Sequence, residues 1–149
     1  MKKINYLLIA LCMITTSCID MGLNELPVYH DAELLDFEFE YRYIITNTNN
    51  VNQLAVKKLI TLTTIQNDKI LAEISIPDPS GTFTSEIAGQ ITLSNIVGYA
   101  EASIGSSIIP IDGAPKLGTQ GNFSSAVKYK VVAADGTTSK TYILTTILE

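Results

Sequence analysis

The sequence predicts an all-β fold, a sandwich or barrel of short strands, on three observations. From Leu35 to Ile45, apolar residues hold alternate positions (Leu35, Phe37, Phe39, Tyr41, Tyr43, Ile45), with Asp36, Glu38, Glu40 and Arg42 between them. A period of two places one face in a core and the other in water. Second, Gly, Pro, Asn and Asp punctuate the chain at intervals of roughly eight to twelve residues, without a helical period between them. Third, Val127–Ile147 holds two runs rich in Val, Ile, Tyr and Thr on either side of Asp135-Gly136. β-Branched and aromatic residues suit a half-buried pleated surface, and Asp-Gly is the strongest short hairpin signal.

The first residues carry an address. Lys2 and Lys3 precede a short apolar run, Ile4 to Ile14, then the small residues Thr15-Thr16-Ser17, then Cys18. That is the layout of a secretory signal, and the run is too short to span a bilayer. Cys directly after small residues resembles the lipobox of bacterial lipoproteins. The resemblance implies cleavage before Cys18, diacylation of its thiol by fatty-acyl chains such as palmitate, and acylation of the new amine. At about 0.8 kcal/mol per buried CH₂, three chains make the anchor effectively permanent. Cys12 leaves with the signal, so the domain has neither a disulfide nor a thiolate metal site, and its core must hold it alone.

Residues 18–33 read as the lipidated Cys and a flexible tether, broken by Gly22, Asn24 and Pro27, with one acid, Asp20, close to the lipid. The expected division is signal peptide 1–17, tether 18–33 and β-domain 34–149. Leu35–Ile45 is the first strand. Thr46–Gln53 is a polar loop, and Leu54–Ile65 a long apolar and threonine-rich strand run. Asn67-Asp68 turns the chain into Ile70–Ile76, which Pro77-Asp78-Pro79 ends, because prolines cannot sit within a central strand. Further strands are expected at Gln90–Ser94, Ala100–Ile104 and Ile108–Ile111. Asn122-Phe123-Ser124 leads into the hairpin. There Val127, Tyr129, Val131 and Ala133 share a face, and Gly136 can take a left-handed turn conformation at no steric cost.

Composition narrows function. The chain is 46% hydrophobic and 17% charged, which supplies a core and argues against disorder. Without Lys2 and Lys3, eight basic residues face 15 acids, a net charge of −7. Such a chain is poorly suited to phosphate backbones, so no nucleic-acid partner is expected. Neither an enzyme nor a cofactor is expected. A Ser-His-Asp or Cys-His mechanism needs a held imidazole beside a nucleophile. The single histidine, His30, lies where tether meets domain and no other position can supply one, and no Gly-x-Ser-x-Gly, Walker or Rossmann pattern occurs. Asp36, Glu38 and Glu40 could suggest calcium, but they read as a solvated strand face because no Asp/Asn/Gly loop presents them. Tyr29 and Tyr99, beside loops, are the candidates for ligand stacking; Tyr41 and Tyr43 share the Phe37/Phe39 face and read as core.

Ala126-Val-Lys-Tyr-Lys-Val-Val-Ala-Ala-Asp-Gly-Thr-Thr-Ser-Lys-Thr-Tyr-Ile-Leu-Thr145 resembles an ending found in Bacteroidota outer-membrane lipoproteins, a Tyr-x-Val-x-Ala-x-Asp-Gly turn before a Thr-Tyr strand. Ile74-Ser-Ile-Pro77, Gly121-Asn-Phe-Ser124 and Leu35-Asp-Phe37 are similar to that family's other strands. The resemblance implies an Ig-like antiparallel sandwich of about seven strands, of unknown function, on the outer membrane. It implies a cell-surface or periplasmic-face location, with a glycan or another envelope protein as partner. A structural spacer or pilus-type subunit is the alternative it leaves open. Exposed aromatics gathered at one end would favour binding; an exposed hydrophobic groove or long unpaired edge would favour assembly.

Overall fold

The computed structural model describes residues 28–149. The signal, Cys18 and most of the tether lie outside the described residues. The longest strand, β1 (Leu34–Thr46), is flanked by β2 (Asn52–Lys58) and β5 (Ile96–Ala102), with β7 (Gln120–Gly121) beyond β5. A five-stranded sheet faces this one, in the order β3 (Ile60–Gln66), β4 (Lys69–Ser75), β9 (Ser139–Leu148), β8 (Val127–Val132), β6 (Ser107–Ile111). The protein is therefore a β-sandwich. Every neighbouring pair is antiparallel except β4 and β9, which run parallel from Lys69↔Ile143 to Ile74↔Leu148.

Alternation on β1 builds the core. Phe37, Phe39 and Tyr41 are buried, and Phe37 meets Tyr129 of the other sheet at 5.6 Å between ring centroids. Phe39 takes Phe123 edge-on at 5.1 Å, a geometry that aromatic quadrupoles favour. Tyr129, Val131 and Ala133 bury one face of β8, and Tyr142 and Leu144 bury the matching face of β9. Gly98 on β5 makes this packing feasible. A Cβ there would lie 2.9 Å from both Phe123 Cζ and Phe37 Cε1.

Several sequence expectations need correction. Leu35 does not share the Phe37 face: the register slips between Leu34 and Asp36, so Leu34 is buried and Leu35 is exposed. A bulge adds one residue to a strand, and strict alternation cannot reveal it. The run Leu54–Ile65 is two strands, because the chain passes between sheets at Leu59. That residue is buried, and its N–H bonds Phe39 O at 2.9 Å. Gln90–Ser94 is not a strand; it follows a one-turn helix, α1 (Ser85–Ala88), capped by Thr84 Oγ1, which accepts from Ile87 N at 3.3 Å. The strand expected at Ala100–Ile104 runs instead from Ile96 to Ala102. Among the described residues the strands number nine, counting the two-residue β7 and the split at Leu59, against about seven expected.

Candidate functional site

Tyr99 lies on the outer face of the four-stranded sheet, opposite Glu38 across the β1–β5 ladder. Its hydroxyl donates to Glu40 Oε1 at 2.8 Å and accepts from the Arg42 guanidinium, whose Nε also donates to Glu40 Oε1 at 2.7 Å. The three meet because residues 40 and 42 point to the same side of β1. Glu40, as acceptor, holds the phenol proton and raises the Tyr99 pKa above its ordinary value, with burial adding to the effect. The same carboxylate raises the Arg42 pKa. Tyr99 is thus a neutral donor, unsuited to act as a base. Beside it, Asp36, Glu38, Tyr99, Ala100 and Glu101 line a shallow depression of about 210 Å³. Two of its three acids are engaged separately: Glu38 pairs with Lys58 at 2.7 Å, and Asp36 Oδ1 accepts from Phe37 N at 2.7 Å. Among the described residues, no group of three or more His, Cys, Asp or Glu side chains could hold a metal ion.

Tyr29 lies elsewhere, in the segment before β1, and is 42% exposed. It shares neither a ring contact nor a hydrogen bond with Tyr99, so the two candidates do not form one platform. The segment after Tyr29 is held against the β8–β9 hairpin by contacts the sequence reading missed. His30 Nδ1 lies 2.8 Å from Asp135 Oδ2. Glu33 takes Lys140 Nζ at 2.6 Å and the Tyr142 hydroxyl, and that hydroxyl also accepts from Leu34 N at 3.1 Å. These donors, Lys140 first, lower the Glu33 pKa, and Glu33 in turn raises that of Lys140. Lys140 also stands 4.9 Å above the Tyr142 ring. Nothing in the local sequence marks Glu33, because its partners come from the far end of the chain.

Asp135 and Gly136 form the hairpin turn. Gly136 has φ +70°, and its N–H bonds Ala133 O at 3.0 Å. Asp135 Oδ1 accepts from Thr137 N and Thr138 N, each at 2.8 Å, while Oδ2 accepts from Thr138 Oγ1 at 2.6 Å. The Thr138 hydroxyl bond and then His30 dominate in pushing the Asp135 pKa far below the usual carboxylate range. The order of contacts is Thr138–Asp135–His30, with the carboxylate in the middle. A nucleophilic triad needs the imidazole between hydroxyl and acid, so this arrangement cannot activate Thr138.

The larger unexplained feature is apolar. On the outer faces of β2 and β3, each at the edge of its sheet, Leu54 is 62% exposed, Val56 51%, Ile60 60% and Leu62 65%. Ile44, paired with Leu54 across β1–β2, extends the β2 patch. The sequence here reads as one apolar and threonine-rich run without telling which members face solvent, because that depends on which strands end up at the edges.

The fold can now be set beside known proteins. A crystal structure of a candidate secreted protein from Bacteroides fragilis NCTC 9343 matches 83% of this chain and 99% of its own, at 30% identity and a TM-score of 0.74. A candidate glycoside hydrolase from Bacteroides thetaiotaomicron aligns with 86% of this chain but 28% of its own, at 21% identity and a TM-score of 0.48. No curated protein matches. Residues 34–145, from the first residue of β1 into β9, match the DUF5018-related family, and the chain belongs to it.

Proposed function

We propose that this protein is a non-enzymatic, lipid-anchored module of the cell envelope that binds another envelope protein. The observation that carries the reading is the exposure of aliphatic side chains on two edge strands of opposite sheets, Leu54 and Val56 on β2 and Ile60 and Leu62 on β3. Exposed apolar patches mark interaction sites, and unpaired strand edges accept partner strands. Glycan capture is less well supported. Stacking platforms need gathered aromatic faces, whereas Tyr29 and Tyr99 stand apart and the Tyr99 hydroxyl is already satisfied. An unpaired edge is also the feature expected of the alternative, a structural spacer or pilus-type subunit that assembles without a small ligand. It therefore favours a protein partner over a glycan without separating docking from assembly.

The anchor rests on Cys18 and its spacing from the basic start and the apolar run. A secreted or envelope location fits the candidate secreted protein of Bacteroides fragilis, and placement on the outer membrane follows the resemblance of the hairpin ending. The non-enzymatic reading rests on the Tyr99, Glu40 and Arg42 groups being bonded to one another and on the inert order of the Asp135 contacts.

Pull-down from envelope extracts tests the binding reading, with glycan arrays and glycosidase substrates run in parallel. A partner retained by the wild type and lost with Leu54→Lys or Leu62→Lys is the expected result. Hydrolysis abolished by one carboxylate substitution would overturn it. Intact mass spectrometry of the membrane fraction should find fatty-acyl mass on an N-terminal Cys18 peptide; an unmodified Cys18 there would remove the anchor.

A further inference from the structure

A sandwich with two open sheets has four edges, and unpaired strand edges invite association unless something blunts them. Three of the four are blunted. β7 is two residues long, β6 carries Pro110, and β2 ends in Lys57 and Lys58. Lys57 also folds over the Phe83 ring at 5.0 Å. β3 has no such device. Its seven residues, Ile-Thr-Leu-Thr-Thr-Ile-Gln, include no charge, no proline and no glycine, and the aliphatic side chains of Ile60 and Leu62 are exposed. Uncharged segments of high β-propensity pair most readily.

We infer that β3 is a strand-pairing edge and that its occupant is a second copy of this chain. The two molecules join β3 to β3, antiparallel, about a two-fold axis at Leu62, so that Leu62 faces Leu62 and Ile60 faces Thr64, and make one sheet from two five-stranded ones. This deepens the envelope-binding reading and rests on it. Charge argues for the copy. The chain is acidic overall, so most faces of one molecule repel another. Along β3 no charges oppose each other in any antiparallel register. The nearest outward acid is Glu73, opposite Leu62 on β4. Across the joined sheet the two Glu73 residues stand three strand spacings apart, roughly 14 Å, beyond a Debye length at physiological salt. Antiparallel pairing about this axis also brings the four exposed aliphatic side chains, Ile60 and Leu62 of each copy, onto one continuous face. Two seven-residue strands form a small interface, so the dimer dissociates on dilution.

Sedimentation equilibrium of the domain Val28–Glu149 tests this. That domain contains the nine strands and the core found among the described residues, and the Bacteroides fragilis chain, 99% of which aligns with this one, is ordered in its own crystal. A concentration-dependent dimer is expected. Leu62→Lys should weaken it about tenfold or more, since like charges facing across a ladder repel. Ile109→Lys, on the blunted edge of β6, should leave it unchanged. Both positions are exposed, and melting curves of the two variants verify that they fold. A monomer at every concentration overturns the inference, as does a dimer indifferent to Leu62→Lys. A monomer that captures a different envelope chain through β3, with capture lost in Leu62→Lys, overturns self-pairing while keeping the binding reading. Failure of both dimerisation and capture removes that reading as well.

Discussion

His30 and Asp135 lie 105 residues apart in the chain and 2.8 Å apart in space. The contact ties the residues entering β1 to the turn of the last hairpin, so the domain's contacts begin before Leu34. Glu33 reinforces the tie through Lys140 and Tyr142. The residues just before β1 are therefore fastened to the last hairpin, with the sandwich's first and last strands joined at one corner.

The first prediction is a pH dependence. Asp135 is held as a carboxylate in the fold, with its pKa below the unfolded value near 4. A depressed folded pKa contributes stability at pH above the unfolded value, and that contribution is lost as the pH falls from about 4 toward the folded pKa. Denaturant titrations across pH 7 to 2.5 should therefore show the wild type converging on Asp135→Asn at the acid end. Parallel curves at all pH values would refute the assignment.

Gly136→Val should lower stability more than Lys128→Ala. At φ +70° a side chain is strained by about 1–2 kcal/mol whatever space surrounds it, and here the space is open. Lys128 forms only an exposed pair with Asp112, a class worth about 0–1 kcal/mol. Equal thermal midpoints for the two variants would contradict the turn assignment.

Gly98→Ala tests a different mechanism, because Gly98 is not among the positive-φ glycines. The new methyl would crowd Phe37 and Phe123 at 2.9 Å, and overpacking costs about 1–3 kcal/mol. Pairing it with Phe123→Leu should recover part of the loss if ring contact is the cause. An undiminished midpoint for Gly98→Ala alone would show that the rings can move aside.

Tyr142→Phe removes one oxygen that bonds Leu34 N and Glu33 together. Leaving a buried backbone donor unpaired costs about 1–3 kcal/mol. Hydrogen exchange at Leu34 should accelerate in this variant while exchange in β8 stays slow. Uniform protection would mean that the hydroxyl contributes nothing to holding β1.

Much of this was legible from residue order alone. The class of fold, the first strand, the β3–β4 turn at Asn67-Asp68 and the inward face of β8 all follow from local rules, because alternation and turn chemistry act over a few residues. Cys18 and its spacing read as an address, and that reading lies outside the described residues. What residue order left open was decided between distant segments. The bulge at Leu34 and Leu35 arises from matching β1 to β5, and the break at Leu59 from the chain's need to change sheets. The parallel pairing of β4 with β9 joins segments about 75 residues apart. Whether Leu62 is core or surface, and whether Tyr99 is free or bonded to Glu40 and Arg42, depends on which strands become neighbours. Burial is a property of the assembled sheets, so tertiary structure alone could leave β3 at an edge that no other described strand covers.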